Sequence, residues 1–66
     1  MIKLQIEQEA DGRWIAEVPS LPGVICYGQT PAEARARVAV LALRVLAERL
    51  EAGEPAPELA DVFIAA

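Results

Sequence analysis

The stretch from Val18 to Ala34, Val-Pro-Ser-Leu-Pro-Gly-Val-Ile-Cys-Tyr-Gly-Gln-Thr-Pro-Ala-Glu-Ala, constrains the fold more than any other part of the chain. Turn residues, a short apolar strand and a helix start follow one another in it without slack. Pro19 and Pro22 fix φ and remove backbone donors, and Gly23 supplies a residue able to take positive φ, so residues 19–23 read as a rigid turn leaving a strand. Thr30 then reads as an N-cap. Pro31 takes the first helical position, where a missing N–H costs nothing, and Glu33 stands three residues after Thr30 to complete a capping box.

Upstream, Ile2, Leu4 and Ile6 alternate with Lys3, Gln5 and Glu7, the period of a half-buried strand. Glu9 to Gly12 makes a turn ending in Asp-Gly. Arg13 to Val18 then returns antiparallel, with Trp14, Ala16 and Val18 on one face and Arg13, Ile15 and Glu17 on the other. Val24 to Tyr27 is a third strand between Gly23 and Gly28.

The helix is predicted from about Pro31 to about Ala52, stopping at Gly53, with Pro55 and Pro57 preventing continuation. Ala34, Val38, Leu41 and Val45 form one seam at helical spacing, and Ala39, Leu43, Leu46 and Leu50 form another. Glu33, Arg37, Arg44, Glu48 and Glu51 crowd into a polar wedge, with Glu33/Arg37 and Arg44/Glu48 as i,i+4 pairs. The apolar arc that remains is on the order of 200°, wider than one sheet covers. Val40, Leu43, Leu46, Ala47 and Leu50 are therefore expected at an interface with a second subunit. After a Pro-rich loop over residues 54–58, Leu59 to Ala65 reads as a last strand with Val62 and Ile64 on one face. The expected fold is α+β, in the order β-β-β-α-β: a mixed four-stranded sheet ordered 3-2-1-4, one helix on one face and the other face bare.

At 66 residues the chain is a single domain that buries only about 60% of its unfolded surface, so its stability depends on help. Cys26 is the one cysteine and there is no histidine, which removes an internal disulfide and a structural zinc site. Oligomerisation is the remaining support, and a hydrophobic fraction of 55% points the same way. A net charge of −4 with six basic residues argues against direct DNA or RNA binding and for a basic partner. The longest apolar run, Val38 to Leu43, is too short for a membrane span, and no leader pattern opens the sequence, so a cytoplasmic location is expected. Five Arg against one Lys, with thirteen Ala, resemble a high-GC or heat-adapted composition.

Catalytic readings are weak on chemistry. The acids placed on strands or turns are Glu7, Glu9, Asp11, Glu17 and Asp61; Glu7 and Glu17 alone could face one another, so no metal or cofactor is expected. Ser20, Thr30 and Cys26 lack the histidine that would serve as their base, so an enzyme is not expected. Cys26 reads as a buried small hydrophobe. Trp14 and Tyr27 are open between core positions and interface anchors on the bare sheet face. Arg35 and Arg49 flank the apolar arc as snorkelling rim residues.

Asp11-Gly12, Trp14, Pro19-Ser20-Leu21-Pro22-Gly23, Gly28-Gln29-Thr30, Glu33-Ala34 and Gly53-Glu54-Pro55 stand in this order and together resemble the HicB-type antitoxin domain, which has a partial ribonuclease H-like fold. The resemblance implies a toxin–antitoxin system in which the antitoxin binds and blocks a small basic ribonuclease. It also implies a stand-alone version lacking the DNA-binding domain many members carry, since the sequence stops after the expected last strand. Glu9, Asp11, Trp14, Glu17 and Tyr27 are the expected partner-binding surface, the acids pairing with Lys and Arg and the aromatics anchoring. Pro19, Leu21, Pro22, Gly23, Gly28, Thr30 and Glu33 carry the structural motif. The alternative is a self-assembling domain without a toxin, serving in oligomerisation or ligand sensing.

Overall fold

Four-residue strands span roughly 13 Å while a 21-residue helix spans about 31 Å, and this mismatch sets the shape of the molecule. The computed structural model describes residues 2–63 and 65. Strands β1 (Gln5–Gln8), β2 (Trp14–Glu17) and β3 (Ile25–Gly28) form an antiparallel sheet in the order β1-β2-β3. Helix α1 (Pro31–Glu51) lies across one face and outruns it, and a one-turn 3-10 helix (Pro57–Leu59) follows. The extents are 45 × 23 × 15 Å, two layers thick and longer than the helix alone.

The first hairpin pairs Gln5 with Glu17 and Gln8 with Trp14, and the second pairs Trp14 with Gly28 and Glu17 with Ile25. This register puts Ile6, Ala16 and Cys26 on the helix side. The link from β2 to β3 closes on itself: Val18 N–H donates to Val24 O at 3.1 Å and Val24 N–H to Leu21 O at 3.1 Å. Leu21 thereby folds back into the core with Ala16, Val18, Val24, Ala34, Val38, Ala42 and Leu46.

The helix start follows its sequence signals with one change. Thr30 Oγ1 accepts from Glu33 N–H at 3.0 Å, whereas the Glu33 carboxylate accepts from the Gln29 N–H at 3.1 Å, one residue before the cap, instead of from the cap itself. At the other end Gly53 takes φ +76°, and the bonds Gly53 N–H to Leu50 O and Glu54 N–H to Arg49 O complete a Schellman motif. Gly28 is required for a different reason. A Cβ there would sit 2.5 Å from the backbone nitrogen of Ala34, so strand and helix meet backbone to backbone.

Four expectations fail. The four-stranded mixed sheet ordered 3-2-1-4 is replaced by three antiparallel strands, with no fourth strand among the described residues. Pro57 occupies the first position of a 3-10 turn, and the bonds Leu59 N–H to Ala56 O, Ala60 N–H to Pro57 O and Val62 N–H to Leu59 O curl residues 56–62, so that the first residues of the strand expected over Leu59 to Ala65 turn instead of extending. Ala56 and Leu59 pack against the core in that curled form, which favours it further. Ile64 of the expected strand lies outside the described residues. The helix seams also regroup: the buried line is Ala34, Val38, Ala42 and Leu46, one i+4 ridge crossing the sheet obliquely. Leu46, expected at a subunit interface, is fully buried in the chain's own core, while Val40, Leu43, Ala47 and Leu50 are exposed. Finally, Glu33 and Arg37 pair at 3.3 Å, but Arg44 and Glu48 form no ion pair among the described residues.

Two stability measurements check this packing. Leu46→Ala should cost about 2–5 kcal/mol in urea unfolding, against less than about 0.5 for Leu43→Ala; equal losses would contradict the observed ridge. Gly28→Ala should cost about 1–3 kcal/mol by overpacking against the first helical turn, and an unchanged midpoint would mean that the contact yields freely.

Candidate protein-binding face

The sheet face turned away from α1 is laid out by the register as two rows. Glu7, Ile15 and Tyr27 form one, and Gln5, Glu17 and Ile25 the other. Both rows run from polar on β1 to apolar on β3, and Ile25 and Tyr27 are each 40% exposed. Gln5, Glu7, Glu9, Ile15 and Glu17 line a shallow hollow of about 180 Å³ at the acidic end. Glu9, at the end of β1, and Glu17 are half-buried.

Tyr27 is held by Arg13, whose guanidinium carbon lies 4.4 Å from the ring centroid. Arg13 is fixed in turn by Asp11, which accepts from its Nε at 2.7 Å and from its backbone N–H at 3.0 Å. The chain Asp11–Arg13–Tyr27 thus orients the aromatic ring from the hairpin turn. The Arg13 backbone N–H first, and its side chain second, hold the Asp11 carboxyl below its ordinary pKa of 3.8.

The five expected partner-binding residues divide. Tyr27, Glu17 and Glu9 sit on or beside the open face. Asp11 is engaged within its own turn. Trp14 stands on the opposite face, half-buried and packed against the core with Ile6 and Cys26. Ile15 and Ile25 are the members of the face that were not singled out from the sequence. Their signal was the alternation itself, since each shares the parity of an acidic or aromatic neighbour across the ladder.

The remaining candidates are scattered. Ser20 is exposed in the β2–β3 turn, Thr30 is committed as the cap, and Cys26 is a half-buried free thiol. Glu7 and Glu17 are diagonal neighbours, set apart by the pairing of Glu7 with Ile15 and Gln5 with Glu17. Asp61 is exposed in the turn after the 3-10 helix. Among the described residues no group of three or more His, Cys, Asp or Glu side chains is placed to hold a metal ion. Arg35 is exposed. Arg49 instead reaches Glu58 at 3.8 Å and ties the 3-10 turn to the last turn of α1, a role spacing alone did not suggest.

Among the described residues no helix is long and apolar enough to cross a membrane. Comparison with protein-family models, with curated proteins and with solved structures returns no match.

The orienting chain is open to direct test. Because folding lowers the pKa of Asp11, its contribution to the turn is fully present above the ordinary value and is lost as pH falls through the folded one. Followed by carboxyl-carbon NMR, Asp11 should titrate below 3.8, and Arg13→Ala should move the midpoint only partway back, because the backbone N–H bond survives. A wild-type midpoint at the ordinary value would remove Asp11 as the anchor.

Proposed function

We propose that this chain is a non-enzymatic binding module, similar to a HicB-type antitoxin, that occludes a small basic ribonuclease. The observation that carries the reading is the open sheet face: exposed Ile25 and Tyr27 form an apolar end, and Glu7, Glu9 and Glu17 an acidic one, on a rigid antiparallel scaffold. Aromatic and aliphatic side chains at the centre of a polar patch make binding anchors, and acids beside them favour a basic partner and raise its encounter rate. The net charge of −4 acts in the same direction at longer range. Occlusion needs no chemistry from this chain: the partner's RNA-binding surface is covered by the face that its own basic residues attract. Trp14 contributes by stiffening the sheet from behind, and Asp11 by fixing Arg13 against Tyr27.

The test is capture followed by inhibition. Wild-type chain used as bait in lysate of its source organism should retain, in stoichiometric amount, a basic protein whose RNA cleavage is suppressed by added chain. Glu17→Lys combined with Tyr27→Ala should abolish both retention and suppression while leaving the circular dichroism spectrum unchanged. Equal retention by the variant, or a captured protein without ribonuclease activity, would overturn the reading.

A further inference from the structure

The two edges of the sheet differ in a way the sequence does not announce. On β3 and just past it, three outward-facing backbone groups are already bonded: Ile25 N–H donates to Gly23 O at 3.2 Å, Tyr27 O accepts from Arg37 Nη1 at 3.0 Å, and Gln29 N–H donates to the Glu33 carboxylate. The first turns of α1 thus occupy part of that edge. On β1 the odd residues bond inward, as Glu9 N–H does to Arg13 O, so the backbone groups of Leu4, Ile6 and Gln8 face outward. Among the described residues nothing is bonded to them. An unblocked strand edge is a template for another strand.

The sequence along this edge is self-complementary. β1 begins at Gln5; carried back through the exposed Lys3 and the core-packed Leu4, its alternation groups Lys3 with Gln5 and Glu7 on the open face and Leu4 with Ile6 on the helix face, so reversal about Gln5 exchanges lysine with glutamate and leucine with isoleucine. We propose that a second copy of this chain pairs antiparallel with the free edge of β1, with Gln5 opposite its own copy at the dyad. Lys3 then stands opposite the partner's Glu7, and Leu4 opposite the partner's Ile6. The outward parity of the edge fits this register, since Leu4 and Ile6 become the hydrogen-bonded pairs and Lys3 and Glu7 the closer, non-bonded ones. Shifting by two residues sets either Leu4 opposite the partner's Gln8 or Lys3 opposite the partner's Gln5, and one match is lost.

The dyad stands perpendicular to the sheet, so both helices fall on one side and both open faces on the other. An apolar hollow of about 200 Å³ between Ile2 and Leu4 and the helix residues Ala39, Ala42 and Leu43 lies along this edge. Pairing brings the two hollows together and gives Leu43, 58% exposed in the single chain, an apolar environment. The result is a continuous six-stranded sheet bearing two copies of the binding face. The pairing stands on the edge alone and holds whether or not that face takes a ribonuclease.

Charge reversal tests it with the purified chain and no ligand. Wild type should sediment at twice 7.1 kDa. Lys3→Glu and Glu7→Lys, both at exposed positions, should each weaken self-association by roughly tenfold or more, because two opposite-charge pairs become like-charge pairs. Mixing the two variants should restore the dimer as a heterodimer, since both cross-dyad contacts then join a glutamate of one variant to a lysine of the other. A chain carrying both substitutions should recover the dimer as a homodimer. Restoration by mixing also shows that each variant is folded. A wild-type monomer at millimolar concentration, or single variants that associate as wild type does, would overturn the proposal.

Discussion

The backbone contact between Gly28 and the first turn of α1 is the constraint on which the rest of the molecule depends. With a Cβ at Gly28 excluded by the nitrogen of Ala34, the helix enters the sheet at the end of β3 at a fixed distance and angle. That angle makes the buried ridge run Ala34, Val38, Ala42, Leu46 instead of along either sequence-derived seam. It also brings Glu33 and Arg37 over the outer edge of β3, where they bond to Gln29 N–H and Tyr27 O. One close approach therefore sets helix packing and occupies part of one sheet edge together.

The asymmetry that follows has functional weight. With part of the β3 edge taken up by α1 and the outward groups of β1 unbonded among the described residues, the two edges are unequal, and the sheet face away from α1 carries no element of this chain among the described residues. That face is itself graded, acidic over β1 and apolar over β3, because the register places Glu7, Ile15 and Tyr27 in line. The Asp11–Arg13–Tyr27 chain holds the apolar end from the hairpin turn through contacts within this chain.

The helix is longer than the sheet beneath it can cover, and part of the chain's 55% hydrophobic fraction stays on its outer surface. Val40, Leu43 and Leu50 are each at least half exposed. The 3-10 turn, held by Arg49 and Glu58, covers part of the overhang with Ala56 and Leu59.

Local chemistry decided what the sequence determined by itself. The alternation in β1 and β2, the Asp-Gly turn, the Pro-rich turn before β3, Thr30 and Pro31 at the helix start and Gly53 at its end each act through their own φ, ψ and nearest hydrogen bonds; the turns and helix ends appear where the sequence puts them, while β1 begins only at Gln5, leaving Ile2 to Leu4 outside it. Choices among faces and partners separated by many residues belonged to the tertiary structure. Leu46 faces the core and Leu43 does not because of the crossing angle set at Gly28, eighteen positions from Leu46. Trp14 and Tyr27 part company because the β2–β3 register gives them opposite parity. Residues 57–62 curl because Pro57 starts a turn whose apolar side finds cover on the helix, a balance of burial against strand pairing that periodicity cannot weigh.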